Sequence, residues 1–218
     1  MGRISVSRHL VGASCDHDRR AVDEEGQRMH RPALSAALQA FASIELKNAI
    51  YVACPISSGR RELDLMLAAS QFDRSVLRAD LVHRWEREVL EPNRSDARAA
   101  ATRTRARYPG HNVINPSEFN IDGLDQPGYD VLCERIIRGH VARIVLADGW
   151  EFSRGARVEA LLGAELGLAF EDGAGRSMGE HDIWAACEKS EAALLDAGFP
   201  EDRMRDLLPP TSGVAAVG

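Results

Sequence analysis

The chain reads as an α/β domain built on a mostly parallel sheet. One observation predicts the class, and two more predict the core that such a class needs. Short apolar runs rich in β-formers recur along the sequence, and amphipathic helical stretches separate them. Hydrophobic residues make up 44% and charged residues 28%, a balance that supports a buried core. A chain of 218 residues buries ~70% of its unfolded surface, so no disulfide or metal staple is required.

The elements follow in order. Residues 1–31 are polar and charged and read as a flexible leader. Residues 32–46 carry Leu34, Leu38 and Phe41 at helical spacing and predict a helix. Residues 48–56, NAIYVACPI, form the first buried strand, closed by Pro55. A loop, SSGRR, leads into a helix from about Glu62 that Pro92 should stop. Residues 93–107 are rich in alanine and arginine and predict a surface helix. The stretch 62–107 reads as a helical insertion.

A second strand is expected at 111–116, then a helix at 129–139 with Gly139 as its C-cap. A third strand, 142–150, runs into a helix at 151–167 with Ser153 near its start. A fourth strand covers 168–172. GAGRSMG reads as a loop, and 180–197 and 200–208 read as C-terminal helices. The expected organisation is a leader with its helix over 1–47, an α/β domain over 48–172 and a helical extension over 173–218.

Charge and composition exclude several functions. The net charge is −6, against the basic excess of a general nucleic-acid binder. Only Lys47 and Lys189 are lysines, so the basic side is almost wholly arginine, which binds anions bidentately. Cys15, Cys54, Cys133 and Cys187 form no CxxC pair, and the histidines form no HxH or HxxxH pair. Neither a zinc site nor a disulfide framework is therefore expected. No run of ~18 apolar residues occurs, and the first residues lack a signal-peptide core. A cytoplasmic protein with no metal, cofactor or membrane partner is expected.

Parallel sheets place ligands at the carboxyl ends of their strands, and two loops there stand out. In CPISSGRR, Ser57 and Ser58 donate, Gly59 permits close approach, and Arg60 adds charge beside a helix N-terminus. Its plainer reading is an ordinary βα turn. In SRGARVE, Ser153 caps a helix, Gly155 opens it, and Glu159 sits where the helix dipole favours an ionised carboxylate. An ionised carboxylate suits a nucleophile. Its plainer reading is a surface glutamate. Asp130 and Glu134 lie one helical turn apart and share a face, as an acid partner or as solvated charge. Arg94, Arg98, Arg103, Arg105 and Arg107 form a run without aromatics, which offers no base stacking.

Tyr51-Val-Ala-Cys-Pro-Ile56, followed by Ser57-Ser58-Gly59-Arg60, resembles the first strand and loop of the nucleoside 2-deoxyribosyltransferase superfamily. Ser153-x-Gly155-x-x-x-Glu159 resembles that superfamily's nucleophile motif. The stretch ADGWEFSRGARVEALLGAELGL is most similar to an uncharacterised branch encoded by phages and bacteria. The resemblance covers roughly residues 48–172. It departs from the family at Cys54, usually glycine, and at Ala142, often aspartate.

The resemblance implies a flavodoxin-like sandwich, a dimer or larger homo-oligomer, and cleavage of an N-glycosidic bond. It makes Glu159 the nucleophile, with Tyr51 positioning Glu159 or the sugar. The residue six before the nucleophile is aspartate in transferases of free nucleosides and serine in 2'-deoxynucleoside 5'-phosphate hydrolases. Here it is Ser153, which implies a 5'-phosphorylated substrate, since serine donates to a phosphate that aspartate would repel. Ser57, Ser58, Arg60, and Arg154 or Arg157, would complete the phosphate site. The family's acidic residue at the leaving base falls on Glu134, with Asp130 one turn away. Trp150 would stack on the base or serve packing. A base-exchanging transferase, an NAD glycohydrolase and a nucleotide-binding module without turnover are the alternatives. Which base is bound stays open.

Overall fold

Every residue of Ala49–Ala53 is buried, so this strand, β1, lies inside a sheet and not at its edge. The computed structural model describes residues 32–41 and 48–209. The leader expected over 1–31 lies outside the described residues, as do 42–47 and the tail from 210. Residues 32–41 form a helix, α1, as their spacing predicts.

The sheet has five strands in the order β2-β1-β3-β4-β5. They are β1, β2 (Val113–Ile114), β3 (Val141–Leu146), β4 (Ala169–Asp172) and β5 (Ser177–Met178). β1 pairs in parallel with β2 on one side and β3 on the other, and β4 pairs in parallel with β3. The fold is therefore α/β with a mostly parallel sheet, consistent with a flavodoxin-like arrangement. β5 is antiparallel to β4 and replaces the loop expected at GAGRSMG. The Asp172 carboxylate accepts from the Ala174 and Arg176 amides, and Gly175 takes φ +90°, which closes this hairpin.

Alternation along β1 divides the core. Tyr51 and Ala53 join Ile144 and Leu146 of β3 under α6 (Gln126–His140), α7 (Arg154–Glu165) and α8 (Glu180–Asp196). Val52 and Cys54 face the other way, onto Ala97, Ala100 and Ala101 of α5 (Glu91–Arg107). A separate cluster joins α2 (Arg60–Ala69) and α3 (Arg74–Asp80) to Leu194 of α8 and to α9 (Glu201–Leu207). The fully buried side chains, such as Leu132 and Ile136 of α6, contribute about 1.5–3 kcal/mol each.

The stretch 62–107 differs from the expected pair of helices. The first break falls at Ser70, which is left-handed at φ +49°, and Asp73 caps α3 by accepting from the Ser75 and Val76 amides. α4 (Val82–Trp85) then runs through a π-helical turn, Glu86–Leu90, straight into α5. Pro92 does not stop it. Proline stands at the first turn of α5, where its missing N–H costs little, and the widened turn precedes it. α5 is a surface helix, as expected, and also the crossover between β1 and β2: its alanines pack on the sheet while Arg94, Arg98, Arg103 and Arg105 stay exposed. Gly139 lies inside α6, which ends one residue later against β3, so it is not a C-cap.

Candidate active site

The chain leaves β1 for β2 on one side and later returns to place β3 on the other. Between β1 and β3 the strand order reverses, and such a point opens a crevice at the carboxyl ends of the strands. The loop after β1 carries Cys54–Gly59, and the loop after β3 carries Ala147–Ser153.

The β1 loop is held tightly. Gly59 has φ +107°, and a Cβ there would lie 2.8 Å from Pro55 Cβ, so only glycine fits. Asn93 of α5 donates its amide to the carbonyls of Ile56, at 3.1 Å, and Ser58, at 2.8 Å. Its oxygen accepts from Arg61 at 2.7 Å. Arg78 of α3 donates to the Ser57 carbonyl. Beneath them Glu62 is fully buried and accepts from Arg74 and Arg78, both at 2.9 Å. Burying that carboxylate is affordable only with both guanidinium partners.

The two loops meet through serines. Ser58 Oγ and Ser153 Oγ are 3.0 Å apart, and both residues are buried. Ser153 occupies the N-cap position of α7, yet its hydroxyl makes no capping bond, contrary to the capping role expected. The hydroxyl is spent across the crevice instead. Gly155 follows in the first turn of α7 with open space on its Cβ side.

Glu159 lies on the same helix, and Tyr51 donates its hydroxyl to Glu159 Oε1 at 2.7 Å. Tyr51 is fully buried, and burial and the Glu159 charge push its phenol well up, so it stays a donor. Cys133 of α6 packs beside both groups, and burial raises its thiol as well. Burial pushes the Glu159 carboxyl up from 4.5 to about 8, with the Asp130 charge adding to the rise. The Tyr51 and Cys133 hydrogen bonds pull the other way. The expected dipole effect does not prevail, because Glu159 is the sixth residue of α7 and the dipole fades within the first turn.

Asp130 and Glu134 divide. Asp130 is the carboxylate whose charge reaches Glu159; it accepts from Gln126 at 2.8 Å and lies 3.8 Å from Arg154. Glu134 is exposed and bound to Arg138 at 2.9 Å. Among the cations, Arg60 is bonded to Asp64 at 2.8 Å and lies over the Phe152 ring at 5.3 Å. It therefore stays beside the β3 loop. Arg157 does not: its guanidinium is fully buried and pairs with Glu191 of α8.

Of the two roles expected of Trp150, its burial fits packing. The residue is 5% exposed within the core under α7. Cys54, where the resemblance leads one to expect glycine, points its thiol at Asn115 Oδ1, 3.8 Å away on the α5 side, and does not crowd the serines.

Reading along the chain missed Asn93, Arg78, Glu62 and Cys133. A lone amide at the start of an alanine- and arginine-rich stretch is the one sequence signal for Asn93. No local pattern marks the other three. Among the described residues, no group of three or more histidine, cysteine, aspartate or glutamate side chains is placed to hold a metal ion. None of the described helices is long and apolar enough to cross a membrane.

The family model described as "Domain of unknown function (DUF4406)" matches residues 90–171. The matched segment runs from the start of α5 into β4, so it includes Asn93, Asp130, Ser153 and Glu159 but not Tyr51 or Ser58. No curated protein and no solved structure matches the chain.

Proposed function

We propose that this chain is an N-glycosidase that hydrolyses a (2'-deoxy)nucleoside 5'-monophosphate to free base and sugar phosphate. The observation that carries this reading is the Tyr51–Glu159 pair, 2.7 Å apart on elements that also carry the Ser58–Ser153 contact to the switch point. A carboxyl fixed by a buried phenol, on a helix whose first residue follows a serine paired with Ser58, suits attack on a sugar whose phosphate those hydroxyls receive.

In this reading the Glu159 carboxylate attacks the anomeric carbon. The C1'–N bond breaks, and its electron pair leaves with the base. Asp130 orients the base and passes to it a proton taken from water; Glu134 is less suited, being held by Arg138. Water then cleaves the glycosyl ester and restores Glu159, with net retention. Ser58 and Ser153 bind the phosphate, Gly155 leaves room for it, and Arg60 and Arg154 stand nearby as cations. Ser57 contributes its hydroxyl at the rim.

Cytoplasmic location and dimerisation belong to the same proposal. The described cysteines Cys54, Cys133 and Cys187 are free thiols, which fits a reducing compartment. Val131 and Val158 expose 39% and 45% of their surface on α6 and α7, beside Asp130 and Glu159, which fits a second copy covering that face.

One observation favours a nucleotide-binding module without turnover. Burial keeps Glu159 neutral at pH 7, and a neutral carboxyl is no nucleophile. A single experiment separates the readings. Wild type and Glu159→Gln are incubated with nucleoside monophosphates, free nucleosides and NAD from pH 6 to 9, and free base is followed by chromatography. Hydrolysis predicts base release from a monophosphate that rises towards pH ~8 and vanishes in the variant. Binding without base release supports the module. Exchange with an added second base marks a transferase, and nicotinamide release marks a glycohydrolase. Full activity in Glu159→Gln would end the nucleophile assignment.

A further inference from the structure

A cleft of about 220 Å³ opens on the α5 side of the sheet, away from Tyr51 and Glu159. Its walls are Cys54 and Pro55 after β1, Ala147 and Asp148 after β3, and one face of α5. The space exists because that face is built from small residues, Ala97 and Ala100 among them. Most charged or polar groups at the rim are already committed. Arg61 pairs with Asp96 at 2.8 Å, and Asn93 holds the β1 loop.

Two groups are not committed. Arg103 of α5 and Asp148 after β3 both line the cleft, both are exposed, and neither has a hydrogen bond or ion pair among the described residues. The cleft thus presents one free cation and one free anion above an apolar floor. An anion would bind Arg103 but be repelled by Asp148, and a cation would meet the reverse. A neutral ligand with separated charges satisfies both. The volume holds roughly seven waters at ~30 Å³ each, which sets the ligand at about that many non-hydrogen atoms or slightly more.

We propose that this cleft is a second small-molecule site, which binds an apolar α-amino acid as its zwitterion. The carboxylate takes the fork of Arg103, whose planar donors match it. The ammonium takes Asp148, and the aliphatic side chain lies on Ala97, Ala100 and Ala147. The site draws on the same two loops as the nucleotide reading but includes none of Tyr51, Ser58, Ser153 and Glu159 in its lining.

Isothermal titration of the full chain with L-leucine, L-valine and L-methionine tests it. At least one should bind saturably at one site per chain. 4-Methylpentanoate and 3-methylbutylamine, which each keep one charge of leucine, should bind roughly tenfold more weakly or worse. Arg103→Gln and Asp148→Asn should each weaken binding by a similar factor, and Ala100→Leu should abolish it by filling the floor. Glu159→Gln should bind as wild type does. Circular dichroism and the thermal transition establish that each variant folds, and the two rim variants decide the matter if Ala100→Leu does not. No saturable heat with any of the three amino acids up to roughly 10 mM would overturn the proposal. So would equal binding of 4-methylpentanoate, which would make the cleft an anion site, or unchanged affinity in Arg103→Gln.

Discussion

Glu159 should make this protein less stable as the solution becomes more alkaline. Burial lifts its carboxyl from 4.5 to about 8. Between these values the folded state holds a proton that the unfolded chain releases. Stability from this group is therefore complete below about pH 4.5, falls as pH rises, and is lost above about 8. The full shift corresponds to roughly 5 kcal/mol. Glu159 keeps an exposed edge, so about 3–5 kcal/mol is the expected range. Glu159→Gln keeps the shape, still accepts from Tyr51, and never ionises. Urea denaturation of both proteins at half-unit steps from pH 5 to 9 gives the comparison. Near pH 5 the two should agree within about 1 kcal/mol, and at pH 9 the variant should be more stable by about 3–5 kcal/mol. Parallel curves would refute the reasoning, because they would place Glu159 in water.

Three further outcomes follow from the same geometry. Tyr51→Phe removes the donor that lowers the Glu159 pKa, so the titration midpoint of Glu159, read by carbon NMR, should rise, at a stability cost of about 1–2 kcal/mol. Glu191→Ala strands the buried Arg157 guanidinium, two of whose nitrogens already lack partners; it should cost about 3 kcal/mol and lower Tm by roughly 6–12 °C, and Arg157→Met in the same chain should recover most of it. Gly163→Ala would set a Cβ 2.4 Å from Ile144 Cδ1 and should cost about 1–3 kcal/mol, whereas Gly155→Ala meets open space and should be neutral or slightly stabilising by thermal melt while weakening monophosphate binding.

Much of the architecture can be read along the chain, because its causes are local. An apolar run ending at Pro55 makes β1, and the period of Leu132, Ile136 and Ile137 makes α6. Boundaries were less legible. Pro92 argues for a stop in any one-dimensional reading, and only the π-helical turn before it shows how the helix continues. The face of the surface helix 93–107 that packs on the sheet is hidden from a one-dimensional reading for a similar reason. Arginines dominate the composition there, while the face that meets the sheet is alanine, too small to register as an apolar stripe.

The candidate site divides along the same line. The residue types came from sequence: a serine and a glutamate six apart on one helix, and serines with a glycine after a strand. Which of them meet is a matter of long-range closure. Tyr51 and Glu159 are 108 positions apart, and Ser58 and Ser153 are 95 apart, and only the parallel pairing of β1 with β3 brings each couple together. The same closure buried Trp150, turned Arg157 onto Glu191 and left Asp130 as the carboxylate that Glu159 senses, whereas Glu134 goes to Arg138 by a local contact one helical turn away. By itself the sequence determined the strands, the helices and the chemistry available, since those rest on neighbours a few residues apart. Tertiary structure alone decided whether each group would be wet or dry, because burial depends on what packs above it, and burial sets the charge that Glu159 carries at neutral pH.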